Sequence, residues 1–272
     1  MSVIFRDLYR GQPNAPAHGK YIRLISSLGT IREYVMTGLT ETTLAQMRRV
    51  STATLTTQMF KRGFRNVFMQ GVRRLGGAGP NMVGPAWTLR NIPAREDLDK
   101  VEGFANVEHP QRKAVENTPA GHVLVVDCRG DTRVASGGQI LMTRLMVRGA
   151  AGMVSDGGIR DAGPIGEMAL PVFCAGPSAP LNLVHHHAVD INVPIACGGV
   201  AVYPGDLIVG DADGVVVIPA HLAAEVAQDA AAQEEMEEFL LSRIAGGAPL
   251  PGTYPPNEAT RAAYEAWRKE RN

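Results

Sequence analysis

Apolar residues in the stretch 137–161, GGQILMTRLMVRGAAGMVSDGGIRD, change their period partway along. Ile140, Leu141, Leu145 and Met146 recur at helical spacing on one side of a run that opens on two glycines. Gly149 and Gly152 interrupt it. Gly152-Met153-Val154 then reads as a short strand leading through a glycine turn to Arg160-Asp161. Upstream, Leu44, Met47 and Val50 predict one helix, and Leu55, Met59 and Phe60 a second, which opens at Ser51-Thr52 and stops at Gly63. A strand is expected around residues 86–89 and another from Val123 to Val126, ending in Asp127. Strand, loop, helix and strand then follow one another through Asp161, a crossover typical of a parallel or mixed sheet. LPVFCAG reads as a further short strand. Residues 191–219 alternate β-rich runs with turns at Pro204-Gly205-Asp206 and Asp213-Gly214, a meander of small strands. A long helix over residues 222–244, acidic at 233–238, and a helical tail at EATRAAYEAWRKER complete the pattern.

This pattern divides the chain into an N-terminal extension (residues 1–39), a core (40–221) and a C-terminal acidic helix and tail (222–272). The extension is weakly periodic and is expected to pack on the body or on a neighbouring subunit. Residues 94–117 are charged and partly helical and read as a solvated insertion. The glycine-rich run at 74–93 has neither GxGxxG nor a Lys-Ser/Thr pair, which argues against a phosphate cradle. Lysine plus arginine and aspartate plus glutamate both number 27, so no net field draws the chain to nucleic acid or membrane. Cys128, Cys174 and Cys197 stand far apart without a CxxC pair, as expected of buried free thiols in a reducing compartment. The first residues lack the apolar core of a signal peptide and no apolar run would span a bilayer. The expectation is a cytoplasmic protein.

The candidate chemistry sits at the two ends of the 137–161 stretch. A glycine-led helix start offers free backbone N–H groups and the positive end of the helix dipole, both suited to a carboxylate. Arg160 supplies a carboxylate-binding fork and Asp161 a hard oxygen ligand for a cation. Together they describe a site for a metal-chelated organic acid, although a surface Arg–Asp pair after a turn has the same appearance. Asp156, in the same turn, is placed to orient Arg160 or to cap the turn. Asp127 and Asp131 stand at a strand end and Asp206 and Asp213 in turns. His185, His186 and His187 are consecutive, and three successive side chains cannot face one point on a helix or strand.

Several segments, in order, resemble the RraA-like family: VSTATLTTQM (residues 50–59), MVGPAWTL (82–89), VLVVDCRGDTR (123–133), the central stretch, LPVFCAG, the meander and the acidic helix. That family includes the 4-hydroxy-4-methyl-2-oxoglutarate/4-carboxy-4-hydroxy-2-oxoadipate aldolases and a regulator of ribonuclease E. The resemblance spans roughly residues 50–245. It implies an α/β fold, a layered β/β/α arrangement with a small, partly barrel-like mixed sheet and a C-terminal helical arm. It also implies a homotrimer, or a hexamer of two trimers, with sites at subunit boundaries. By resemblance Asp161 is a ligand of Mg2+ or Mn2+ and Arg160 the oxyanion stabiliser, while Gly138, Gln139, Ile140 and Leu141 cradle the substrate carboxylate. A further acid, Glu234 or Glu235, would come from the C-terminal helix of a neighbouring subunit. Gln139 is a departure. It stands 21 positions before Arg160, where the family's aldolases carry an acid, and an amide can hydrogen-bond a metal-bound water but cannot take a proton. The implied activity is a divalent-metal-dependent lyase that releases pyruvate from a 2-oxo acid by retro-aldol cleavage or oxaloacetate-type decarboxylation. The alternatives are a non-catalytic regulator that binds a ribonuclease and a dehydratase of a sugar acid.

Overall fold

Two short helices lead into the sheet. They are α1 (Glu41–Met47), capped by Thr40, and α2 (Thr52–Lys61), whose cap Ser51 accepts a hydrogen bond from the Thr54 N–H at 3.1 Å. This computed structural model describes residues 39–271, Ala78 excepted; nearly all of the expected N-terminal extension lies outside the described residues. The chain then forms β1 (Arg73–Arg74), β2 (Met82–Pro93), a 3₁₀ turn (Val101–Ala105), α3 (Pro110–Asn117), β3 (Val123–Asp127), α4 (Gln139–Val147) and β4 (Gly152–Ser155). It continues through β5 (Gly158–Ile159), α5 (Ala162–Gly166), β6 (Val172–Cys174), β7 (Gly176–Pro177), a second 3₁₀ turn (Asn182–Val184) and β8 (His186–Ile191). Residues 191–219, expected as one meander, instead form two hairpins, β9 (Ile195–Cys197) with β10 (Val200–Val202) in a sheet of their own, and β11 (Leu207–Gly210) with β12 (Val215–Ile218) in the main sheet. They are followed by α6 (Ala223–Ala245), α7 (Leu250–Thr253) and α8 (Glu258–Arg271).

Strands β2, β3, β4 and β6 pair in parallel, and the sheet runs β1-β6-β4-β3-β2-β11-β12, with β8 antiparallel to the far half of β2. The expected crossover is therefore β3–α4–β4. One short segment bends this sheet towards closure. The Val217 N–H donates to the Val67 carbonyl and the Met69 N–H to the Val215 carbonyl, which lays residues 67–69 along the β12 edge. After a turn at Gly71, Arg73 and Arg74 pair with β6 at the opposite edge. The result is a partly closed, barrel-like mixed sheet.

Alternation along the strands sorts the core into layers. Val123 and Val125 of β3 and Val215 and Val217 of β12 face inward, with Phe173, Ile208 and Met69. Leu124 and Val126 face the other way, onto Met142 and Leu145 of α4 and Ala114 and Val115 of α3. Val216 and Ile218 meet Met47, Leu55 and Met59 of the first helices and Val226 of α6. A smaller cluster, Phe239, Leu240 and Tyr264 with Trp267, joins α8 to the end of α6. Cys128, Cys174 and Cys197 are buried and free. Burial pushes the Cys128 thiol up to about 12. No helix among the described residues is long and apolar enough to cross a membrane.

Four local expectations need correction. Strand β2 runs over twelve residues rather than four. Gly84 and Pro85 look like breakers, yet a Cβ at residue 84 would run into the Gly121 carbonyl oxygen, so glycine is what lets β2 pass that turn. On α4 the buried face is Met142 and Leu145, whereas Ile140 is 85 % and Met146 37 % exposed. Six of its nine residues are apolar, so its composition defines no single stripe. Finally, residues 94–117 are not simply a solvated insertion, because α3 buries Gln111, Ala114 and Val115 against the sheet. Phe60, expected on the buried stripe of α2, is exposed.

Candidate active site

Strand β4 ends at Ser155 and delivers the glycine turn to the start of α4. The Ser136 N–H and hydroxyl both donate to the Gly158 carbonyl, at 2.8 and 2.9 Å, and the Arg160 N–H donates to the Gly137 carbonyl at 3.1 Å. These bonds hold the residues before α4 against β5. Gly138 caps α4, its carbonyl accepting from the Leu141 and Met142 N–H groups. Asp161 lies in the left-handed region at φ +59°, a conformation that aspartate tolerates better than most residues. Its side chain turns back to α4, where Oδ2 accepts from the Gln139 N–H at 3.0 Å and lies 3.6 Å from Arg160 Nε. A Cβ at residue 138 would lie 2.7 Å from both Arg160 Cγ and Asp161 Oδ2, so the pair sits directly on the glycine.

Arg160 and Asp161 form a wall common to two surface clefts. One, about 250 Å³, is completed by Ile159, Ala162 and Pro177 to Ala179. The other, about 150 Å³, is lined by Phe104, Gln111, Arg112, Gly138, Leu141 and Asn182 among others. The two side chains are 44 % and 39 % exposed, so the guanidinium and carboxylate are open to a solute.

The residues picked out by the sequence distribute as follows. Gly138, Gln139, Ile140 and Leu141 adjoin the pair, but their N–H groups are unequal. Those of Gln139 and Leu141 are engaged by Asp161 and by the Gly138 carbonyl, while those of Gly138 and Ile140 have no acceptor among the described residues. Gln139 is exposed, and its side chain makes no hydrogen bond among the described residues. Glu234 and Glu235 are not brought to Arg160 and Asp161 within one chain. Glu234 accepts from the Ser51 N–H and hydroxyl, at 2.9 and 2.8 Å, and Glu235 accepts from the Tyr264 hydroxyl and pairs with Arg268. Asp156 does not orient Arg160: its carboxylate accepts from the Cys128, Gly130 and Gly198 N–H groups and ties three loops together. Asp127 accepts from the Arg129 N–H; burial raises the pKa of both Asp127 and Asp156. Asp206 accepts from the Tyr203 N–H and so holds its turn, as expected.

The three histidines diverge. His185 meets Asp131, His186 lies near Arg129, and His187 meets Asp99 at 2.7 Å. His186 is buried, and the desolvation lowers its pKa to about 4. No three His, Cys, Asp or Glu side chains converge to hold a metal ion among the described residues. The sequence pattern did not single out Arg112, Asn182 and Ser178, which line the clefts. Pro110 followed by the buried trio Gln111, Ala114 and Val115 is the signal that could have marked α3 as part of the wall.

Comparisons with known proteins extend this geometry. A 4-hydroxy-4-methyl-2-oxoglutarate aldolase, so named provisionally, from Halalkalibacterium halodurans is 40% identical over 126 residues, which are 46% of this chain and 60% of that protein. The chain therefore matches less than two thirds of that relative's length. The crystal structure of RraAS2 from Streptomyces coelicolor, an unusual member of the RNase ES inhibitor RraA family, superposes with a TM-score of 0.66 at 32% identity, covering 74% of this chain and 96% of that one. A crystal structure from Pseudomonas syringae pv. tomato superposes with a TM-score of 0.69 at 25% identity, over 80% and 99% of the two chains. The RraA-like family, described as Aldolase/RraA, matches residues 52–217, from the first turn of α2 to β12. With the sheet, the glycine turn and the Arg160–Asp161 pair all inside that span, the chain belongs to the RraA-like family.

Proposed function

We propose that this protein is a carbon–carbon lyase that cleaves a 2-oxo acid and releases pyruvate through its enolate. The observation that carries the reading is the open Arg160–Asp161 pair, fixed on the glycine start of α4 between two clefts. The provisional aldolase name of the Halalkalibacterium relative supports the reaction class. Arg160 donates to the ketone oxygen of the substrate and stabilises the charge it gains as the C3–C4 bond breaks. The Gly138 and Ile140 N–H groups, at the positive end of α4, hold the adjoining carboxylate.

Asp161 Oδ1 carries no hydrogen bond among the described residues. A single open carboxylate suits a magnesium or manganese ion that keeps most of its shell as water and substrate oxygens. Such a cation, when bound, supplies Lewis-acid polarisation of the ketone. Retro-aldol cleavage also needs a base for the 4-hydroxyl proton, and Asp161 is the one carboxylate lining either cleft among the described residues. Gln139 cannot take that proton, so an acid from a neighbouring subunit of a homo-oligomer or a bound water must do so. Decarboxylation needs no such base, because loss of CO2 leaves the enolate directly.

The test is pyruvate release, coupled to lactate dehydrogenase, from oxaloacetate and 4-hydroxy-4-methyl-2-oxoglutarate with magnesium or manganese, repeated with EDTA. EDTA-sensitive release from either substrate is the expected result. Silence from both would overturn the reading. The identity to RraAS2 supports a second one, a non-catalytic regulator, which recovery of a ribonuclease by a silent protein would favour.

A further inference from the structure

We infer that Arg112 and Asn182 form a second anion subsite in the smaller cleft, one that recognises a carboxylate lying beyond the scissile bond of a 2-oxo diacid. The inference rests on the lyase reading for the placement of the substrate's other end, at Arg160 and the start of α4.

Arg112 is held firmly. Pro110 starts α3, the Gln111 side-chain amide donates to the Ser136 carbonyl at 2.7 Å, and Ala114 and Val115 are buried beneath. The Arg112 guanidinium carbon sits 4.5 Å from the centre of the Phe104 ring, which His109 meets edge-on at 5.3 Å. Stacking fixes the plane of a guanidinium while leaving its N–H edge free for a carboxylate. Nearby arginines are already satisfied: Arg133 by Asp131, Arg144 by Glu116, and Arg129 by the His185 carbonyl. Arg112 has no ion pair or hydrogen bond among the described residues, although it is half-buried. Desolvation lowers its pKa, the mark of a cation shielded from water without a compensating anion.

Asn182 adds a neutral donor to the same cleft. Only 8 % of the residue is exposed, and its side-chain amide, which makes no hydrogen bond among the described residues, is not sealed from the cleft and so stays available to a ligand. It lines the same cleft as Arg112, Gly138 and Arg160. A diacid whose 2-oxo end engages Arg160 therefore has a bidentate cation and a neutral amide available for its far carboxylate. The substrate class that follows is a 2-oxo acid retaining a carboxylate on the fragment that departs, which is the aldol-type rather than the oxaloacetate-type substrate.

The test compares 2-oxoglutarate with 2-oxopentanoate, which lacks the far carboxylate, by titration calorimetry with magnesium present. The wild type should prefer the diacid by roughly 10- to 100-fold. Arg112→Gln should bring the ratio to within about twofold, and Asn182→Ala should lower it by roughly threefold. Arg112→Lys, which keeps the charge but not the fork, should fall between, and thermal melts of all three report folding. A wild-type ratio near one, or a ratio unmoved by these changes, overturns the subsite. Pyruvate release with an unmoved ratio would sink the subsite alone. A shifted ratio without release would sink the lyase reading alone.

Discussion

Asp161 Oδ2 accepts a hydrogen bond from the Gln139 N–H at 3.0 Å, so the second residue of the Arg-Asp pair caps the helix whose start adjoins it. This contact spends one of the free N–H groups of α4 on the protein itself and leaves Asp161 with one oxygen for a solute. Asp161→Asn can preserve the cap through its amide oxygen while removing the charge. It is expected to abolish metal-dependent pyruvate release with little change in melting temperature or assembly, read by coupled assay and light scattering. Normal turnover would exclude Asp161 from the site.

Gly138→Ala would place a Cβ 2.7 Å from both Arg160 Cγ and Asp161 Oδ2. The backbone there is extended, so the cost arises from the displaced pair and not from φ. Overpacking of this kind should destabilise the fold by about 1–3 kcal/mol. A misplacement of the pair by an ångström should cost on the order of 100-fold in kcat/KM. Unchanged kinetics would mean that the pair can move aside without consequence.

Gln139→Asp would put an acid at the start of α4, beside the cation site proposed at Asp161. Magnesium affinity by calorimetry should rise roughly tenfold, equivalent to about 1.4 kcal/mol. Retro-aldol cleavage should accelerate relative to oxaloacetate decarboxylation, since only the former needs a base. Equal affinity in the two proteins would show that residue 139 does not face the metal.

His186 gives a pH dependence independent of the site. Burial, followed by the nearby Arg129 charge, lowers its pKa from 6.5 to about 4, while Asp131 opposes the shift. Between those values the unfolded chain binds the proton and the folded chain does not. Stability is therefore fully present above about pH 6.5 and falls as the pH drops towards 4, by up to roughly 3 kcal/mol from this residue. His186→Gln should flatten that acid limb in urea titrations at pH 6.5, 5 and 4. Parallel limbs in the two proteins would place the acid sensitivity elsewhere.

Local periodicity was enough to read the β3–α4–β4 crossover, the caps at Ser51 and Gly63, the short strands within residues 191–219 and the divergence of the three histidines. Each of these depends on residues within a few positions of one another. The adjacency of Arg160 and Asp161 to the glycine start of α4 was legible for the same reason, because one helix and one strand separate them. What lay beyond reach was set by long-range packing. The face α4 buries was ambiguous in a nearly all-apolar helix and was decided by Leu124, Val126 and Met153 beneath it. The closure of the sheet depends on residues 67–69 and Arg73–Arg74 meeting opposite edges, β12 and β6, which no pattern in those short segments announces. Arg112 looked like one more charge in a polar stretch, and only the docking of α3, through Gln111 on Ser136, carries it into the cleft. The sequence by itself determined most of the elements and placed Arg160 and Asp161 at the glycine start of α4. The tertiary structure decided which side chains surround that pair, because burial and charge compensation depend on neighbours far apart along the chain.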